Sequence, residues 1–194
     1  MYNMLLNYIY LIYSNLVYCR KETLSIMDVI EMNERISKPN YYLDIARTVA
    51  SRATCLRKKF GAVIVKDDTI VSTGYNGAPR GRKNCDEIGS CMRDKLGIPR
   101  GERYELCRSV HAEQNAIIAA SRERMIGATL YLACIDSKTG ELVGDVMSCM
   151  MCKRAVINAG IENVVIKTGE KDYISVRVRD WIINDDSLSG VFGY

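Results

Sequence analysis

The hydrophobic and polar positions of this 194-residue chain change period several times, and each change marks an element. Residues 1–19 carry no charged side chain and hold five tyrosines. Their apolar positions (Met4-Leu5-Leu6, Ile9, Leu11, Ile12, Leu16, Val17) are broken by Asn3, Asn7, Ser14 and Asn15. A membrane-spanning helix needs about 20 mostly apolar residues. A signal peptide places positive charge before its apolar run, whereas Arg20 and Lys21 follow this one. Three readings stay open for the extension over 1–39: a dispensable segment ahead of a start at Met27 or Met32, an added packing element, or a membrane-surface anchor.

Lys38-Pro39-Asn40 opens the regular pattern. Asn40 is a helix cap by residue type and Asp44 suits a first turn, so a helix is expected over 41–53. Leu43, Ala46, Ala50 and Ala53 give that helix one apolar face. Gly61-Ala62-Val63-Ile64-Val65 is nearly all apolar, as in a strand covered on both sides. Lys66-Asp67-Asp68 turns the chain, and residues 69–73 return as the partner strand. A Gly/Pro loop over 74–81 and a polar, glycine-bearing insertion over 84–108 follow. Ala112, Ala116, Ala119 and Ala120 line one face of a helix expected over 111–123, capped by Ser109 and closed by Gly127. Residues 128–135 read as a strand, 136–141 as a turn and Leu142-Val143 as a short return. A helix running from Cys149 to Gly160, a buried strand over 163–167, an alternating edge strand over 173–178 and a short helix over 180–183 complete the pattern. This predicts one layered α/β domain over 40–184 and a polar tail over 185–194, with no repeat or linker to divide it.

Composition narrows the class. With 48% hydrophobic and 26% charged residues, the chain has the balance of an ordinary globular protein. A net charge of +4 suits an anionic small molecule and does not demand nucleic acid. Eight cysteines without a recognisable secretory signal point to a reducing, cytoplasmic setting and to thiolate–metal chemistry.

His111 is the one histidine in the sequence. A lone histidine is by default a packed residue. Here Glu113 stands two positions on, and Cys149-Met150-Met151-Cys152 follows 38 residues later. One imidazole and two thiolates make a three-ligand zinc site whose fourth position is open to water. The pattern resembles the His-x-Glu…Pro-Cys-x-x-Cys signature of the zinc nucleobase deaminases, in which the glutamate moves protons and is not a ligand. Ser148 occupies the proline position; serine is itself a good helix cap.

Gly74-Tyr75-Asn76-Gly77-Ala78-Pro79-Arg80-Gly81 resembles the loop of deoxycytidylate deaminases, within the zinc-dependent cytidine/deoxycytidylate deaminase superfamily. The resemblance covers about residues 40–180. It implies a cytidine-deaminase-like three-layer α/β/α fold with a mixed, roughly five-stranded sheet. It implies a catalytic zinc on His111, Cys149 and Cys152, with Glu113 as the proton carrier in hydrolysis of dCMP to dUMP and ammonia, which feeds dTTP synthesis. It implies that Asn76 contacts the nucleoside and Arg122 the phosphate. Arg80, with Arg82 and Lys83, either joins that phosphate site or forms a solvated charge run. Relatives of this kind carry a second, structural zinc on cysteines matching Cys55 and Cys85, which Cys91 and Cys107 would complete here; free buried thiols are the other reading. Cys134 and Cys19 look like spare thiols. Hexamers regulated by dCTP and dTTP are a further implication, with no stable nucleic-acid partner. Three other readings share the zinc motif. A tRNA adenosine deaminase would want a stronger basic surface. A free cytidine deaminase would leave Arg122 without a phosphate. A non-catalytic zinc-stabilised nucleotide-binding module would have no need of Glu113.

Overall fold

The structure, a computed structural model, describes residues 35–99 and 101–185. The extension over 1–34, with Cys19, and the tail over 186–194 lie outside the described residues. The compact unit begins at Ser37, three residues before the boundary expected from sequence. No helix among the described residues is long and apolar enough to cross a membrane.

Helix α1 spans Lys38–Ala50 and not 41–53. Its cap is Ser37, whose side chain accepts from the backbone N–H of Asn40, and Pro39 sits in the first turn, where its missing N–H costs nothing. Asn40 is therefore inside the helix, where its Nδ2 donates to Lys171 O at 3.1 Å. Asp44 lies beyond the first turn and pairs instead with Lys167 at 3.0 Å.

Strands β1 (Lys58–Lys66) and β2 (Thr69–Tyr75) form an antiparallel hairpin. Its two loop residues, Asp67 and Asp68, have φ of 49° and 59°. Two consecutive left-handed residues are what a tight hairpin needs to match strand twist, and aspartate tolerates that region. Asp68 is held there by the Tyr42 hydroxyl at 2.7 Å and by Lys38 Nζ at 2.6 Å. Both strands outrun their apolar cores: Lys58 and Lys59 pair with Asp136 and Ile135, and Gly74 and Tyr75 pair with Ala62 and Gly61.

The insertion holds two single-turn helices, α2 (Cys85–Ile88) and α3 (Met92–Lys95), and a 3-10 turn at Tyr104–Leu106. The helix expected over 111–123 is two pieces, α4 (Ala112–Ile118) and α5 (Arg122–Met125). Ser121 adopts an extended backbone (φ −76°, ψ 147°) that interrupts the ladder, and His111, not Ser109, occupies the cap of α4. Strand β3 (Thr129–Asp136), helix α6 (Met150–Ala159), strand β4 (Asn163–Lys167), strand β5 (Tyr173–Arg177) and helix α7 (Val178–Ile183) complete the order. The expected return at Leu142-Val143 is a single bridge to Ile135.

The sheet runs β2-β1-β3-β4-β5 and is mixed: β3 and β4 are parallel, joined through α6, and the other pairs are antiparallel. Val63 and Val65 of β1 meet Leu43 and Ala46 of α1 on one side. Ala62 and Ile64 meet Ala112 and Ala116 of α4 on the other. Coverage of both faces explains the unbroken apolar run of β1. The three layers and the five-stranded mixed sheet are those of the cytidine-deaminase-like fold.

Candidate metal centre and cavity

The amino ends of α4 and α6 meet on the same side of the sheet. His111 caps α4, Cys149 caps α6, and Cys152 lies in the first turn of α6. Gln114 secures the start of α4 by accepting from the His111 backbone N–H at 3.1 Å. His111 Nδ1 lies 3.4 Å from each of the sulfurs of Cys149 and Cys152. All three ligand atoms fall within 4.8 Å of one another, and this is the one such group among the described residues.

The donor set fits a soft divalent cation. Helix amino ends favour thiolate. A hydrogen bond from Cys152 lowers the Cys149 thiol most, burial opposes it and His111 assists, leaving its pKa at about 4. Cys152 is raised because it holds the shared proton, and because it is buried. Burial works against charge on His111, yet hydrogen bonds with Cys107 and Cys149 and the nearby charges of Cys149 and Glu113 raise it to about 10. Protons thus crowd where two thiolates and an imidazole converge, and a bound metal would displace them. One imidazole and two thiolates with no fourth protein ligand in the group match a zinc site that keeps a position open.

Glu113 stands one residue into α4 and is 4% exposed. Burial pushes its carboxyl above the usual range, against the pull of His111, its own backbone hydrogen bond and Ser148. A carboxyl held toward its neutral form suits two-way proton transfer near neutral pH. Ser148 is buried, and its hydroxyl makes no well-formed hydrogen bond among the described residues, though it lies near enough to Glu113 to favour the charged carboxylate.

These groups face a cavity of about 520 Å³, large enough for a nucleotide. Its walls carry the cations Arg57, Lys58, Arg93, Arg108 and Lys138 against the acids Asp94, Asp136 and Glu113. Asn76 lines it too. Its Oδ1 accepts from Phe60 N at 2.7 Å and its Nδ2 donates to Lys58 O at 2.9 Å, which pins the start of β1 and leaves one N–H and one lone pair unused.

Two residues expected to meet phosphate, Arg122 and Arg80, are not in the cavity lining. Arg122 does not line the cavity: the break at Ser121 moves it onto α5, where its Nε donates to Asn158 O at 2.9 Å. It thereby satisfies a free carbonyl in the last turn of α6. Arg80 is exposed and also outside the lining. Arg57, which sequence reasoning missed, is in the lining; its Nη1 is buried 3.4 Å from Asp94 Oδ1 without a well-directed hydrogen bond. Its signal was its place two residues after Cys55, at the rim where β1 begins.

Cys55, Cys85, Cys91 and Cys107 all line the cavity. Burial raises the Cys85 thiol first, and the proximity of Cys55, Cys107 and Cys91 raises it further. The four sulfurs are not drawn into a metal-sized group. Cys107 is also within hydrogen-bonding reach of His111. Cys134 is buried in the core.

Residues 36–168 match the family described as the cytidine and deoxycytidylate deaminase zinc-binding region. The deoxycytidylate deaminase of Mycobacterium phage D29 is 40% identical over 138 residues, covering 67% of this chain and 96% of the relative. That of Schizosaccharomyces pombe is 34% identical over 148 residues, covering 76% of this chain. The chain spans 42% of the length of that fungal relative. A solved dCMP deaminase from the cyanophage S-TIM5, in apo form, is 26% identical, with 66% of this chain and 81% of that one covered and a TM-score of 0.46. The matched residues contain His111, Glu113, Cys149 and Cys152, and the chain belongs to the zinc-dependent cytidine and deoxycytidylate deaminase family.

Proposed function

We propose that the chain hydrolyses dCMP to dUMP and ammonia. The observation that carries this reading is the juxtaposition of His111, Cys149 and Cys152 with a buried carboxyl, Glu113, on one wall of a cavity whose charged lining residues are five cations against three acids. Zinc, which His111, Cys149 and Cys152 would hold, would supply the Lewis acidity that lets water lose a proton near neutral pH. Glu113 takes that proton and delivers it to the ring nitrogen beside the amino-bearing carbon. The water oxygen bonds to that carbon. Glu113 next takes the proton of the hydroxyl now on that carbon and passes it to the amino group, so the carbon–oxygen double bond forms as the carbon–nitrogen bond breaks and ammonia leaves, and one carboxyl serves both transfers. Its burial keeps bulk water from competing for the proton.

The phosphate end of the substrate falls to Arg57 and Arg108, in place of Arg122 and Arg80. Arg108 uses its Nε on Lys83 O, which leaves its terminal nitrogens for an anion. Asn76 offers its spare N–H and lone pair to the nucleoside. Cys55, Cys85, Cys91 and Cys107 are assigned to a second, structural zinc, supported by their common wall and by the crowding around Cys85. Two zinc ions per chain, falling to one in Cys85→Ser, is the expected stoichiometry; one in both proteins refutes the assignment. The free thiols of Cys55, Cys85, Cys91, Cys107, Cys149 and Cys152 support a reducing, cytoplasmic setting. A homo-oligomer responsive to dCTP and dTTP completes the reading, and sedimentation with and without each nucleotide tests it.

The deciding experiment is ammonia release from zinc-loaded protein given dCMP, deoxycytidine, cytidine and a tRNA anticodon stem in parallel. A clear preference for dCMP is expected. Turnover of nucleosides alone would remove the nucleotide reading and keep the zinc chemistry. Silence on all four would favour a binding module.

A further inference from the structure

The polar insertion between β2 and α4 contains a buried arginine that the reaction above does not use. Arg93, in α3, is 6% exposed. Its Nη2 donates to Pro99 O at 2.6 Å and to Glu102 O at 2.7 Å, while its Nε is buried with no hydrogen-bond partner among the described residues. No carboxylate among the described residues stands within ion-pair distance of it. The cation faces an aromatic ring instead: its guanidinium carbon lies 4.4 Å from the centre of Tyr104. That ring in turn stands at 87° to the His111 imidazole, with centroids 5.2 Å apart. Four contacts therefore link two carbonyls of the insertion to a proposed metal ligand.

A metal-bound histidine is ordinarily aimed by its second ring nitrogen, which donates to a carboxylate or a carbonyl. Among the described residues no such oxygen accepts from the His111 ring. Nδ1 faces Cys149 and Cys152, and Cys107 and Tyr104 also stand against the ring. Perpendicular aromatic pairs and a cation over a ring face are both directional contacts, and both strengthen away from water.

We propose that Arg93 is a positioning residue for His111, acting through Tyr104. The guanidinium, fixed by Pro99 and Glu102, holds the phenol ring upright against the imidazole, so that Nδ1 stays aimed at the two sulfurs. The polar insertion thus does for His111 what an oxygen acceptor does elsewhere. This rests on the zinc reading of the His111, Cys149 and Cys152 group.

Because the sequence has one histidine, the full chain labelled with ¹⁵N-histidine reports on His111 alone. Zinc-loaded wild type should give a single set of ring-nitrogen signals with Nδ1 metal-bound. In Arg93→Met and in Tyr104→Leu those signals should broaden or double, and a chelator should erase the metal-bound signal at least ~10-fold faster. The kcat for dCMP should fall by about 10-fold with KM within about twofold. Tyr104→Phe should behave as wild type, Arg93→Lys should recover most of the loss, and the double variant should be no worse than the worse single one. If Arg93→Met does not fold, by circular dichroism, the Tyr104→Phe and Tyr104→Leu pair decides. Wild-type signals and chelator kinetics in folded Tyr104→Leu overturn the proposal. So does a rise in KM without a fall in kcat in Arg93→Met, which would put Arg93 on the substrate. A wild-type imidazole with no metal-bound nitrogen in excess zinc would overturn the zinc reading and this proposal with it.

Discussion

Gly74 sets the height of α4 above the sheet, and replacing it with alanine tests how tightly that height is tied to the reaction. A methyl group at Gly74 would lie 2.3 Å from Ala112 O and 2.3 Å from Ala116 N, the two ends of one rung of the α4 ladder. Both are backbone atoms, so no side chain can swing aside. Ordinary contact begins near 3.4 Å, and α4 must therefore lift by about 1 Å. His111 and Glu113 travel with it, whereas Cys149 and Cys152 stay on α6. Catalytic groups tolerate about 0.5 Å of displacement, and a 1 Å misplacement costs on the order of 100-fold in rate. Gly74→Ala should thus lower kcat for dCMP by about 100-fold and cost about 2 kcal/mol of stability, a fall in Tm of roughly 4–8 °C for a chain of this size. Gly61→Ala is the matched control. Its methyl would lie 2.0 Å from Ala46 O and 2.4 Å from Ala50 N, a rung of α1 on the other face of the sheet, where none of the proposed site residues sits. It should lose at least as much stability while kcat per zinc-loaded folded molecule stays within about threefold. Both variants are assayed by ammonia release at saturating dCMP, with zinc content and melting curves on the same samples. A Gly74→Ala protein with kcat within threefold of wild type, or a Gly61→Ala protein equally slow, would refute the argument from helix height.

Other perturbations separate chemistry from support. Glu113→Gln should keep its zinc, by metal analysis, and lose at least ~100-fold in kcat; near-normal turnover would remove Glu113 from the mechanism. The hydrogen bond to Asp68, then burial, raises the Tyr42 hydroxyl from 10.0 to about 12. Its neutral form is favoured in the folded chain, so its contribution is full below pH 10 and is lost as pH rises toward about 12. Tyr42→Phe should be less stable by about 1 kcal/mol at pH 7, and the difference should close over that alkaline window in urea titrations; a constant difference would refute the linkage. Lys167 is fully buried, with its ammonium on Glu170 O at 2.7 Å and Asp44 at 3.0 Å. Asp44→Ala, which strips the carboxylate from that ammonium, should cost about 3 kcal/mol, whereas Lys167→Met should stay within about 1 kcal/mol because Asp44 is half-exposed and can turn to water; equal losses would contradict this asymmetry.

Sequence reasoning succeeded where one physical cause dominates. Val63, Ile64 and Val65 announce a strand because α1 and α4 cover its two faces, and His111, Cys149 and Cys152 announce a metal-sized group because few other jobs need that donor set. It failed where two residues compete for one role. Ser37 and Asn40 are both good caps, and Pro39 decides for Ser37, since proline fits the first turn and not the residue before it. Ser121 looks compatible with a continuing helix, yet its extended backbone divides α4 from α5 and carries Arg122 away from the cavity. Arg93 and Tyr104 were invisible for another reason: in a polar insertion a charged residue reads as solvated, and burial there depends on contacts with Pro99, Glu102 and His111 that no local pattern encodes.

The meeting of two helix ends also has a consequence for the unfolding of the chain. His111 lies 38 residues before Cys149 and 41 before Cys152, so an ion held by all three closes a loop much as a disulfide would. By the loop-entropy relation used for disulfides, a 38-residue closure is worth about 4 kcal/mol. Unlike a disulfide, this staple needs no oxidant, forms in a reducing medium and opens to a chelator. Zinc supply would then set heat resistance as well as turnover, and a chain starved of metal would be short-lived before it was merely inactive.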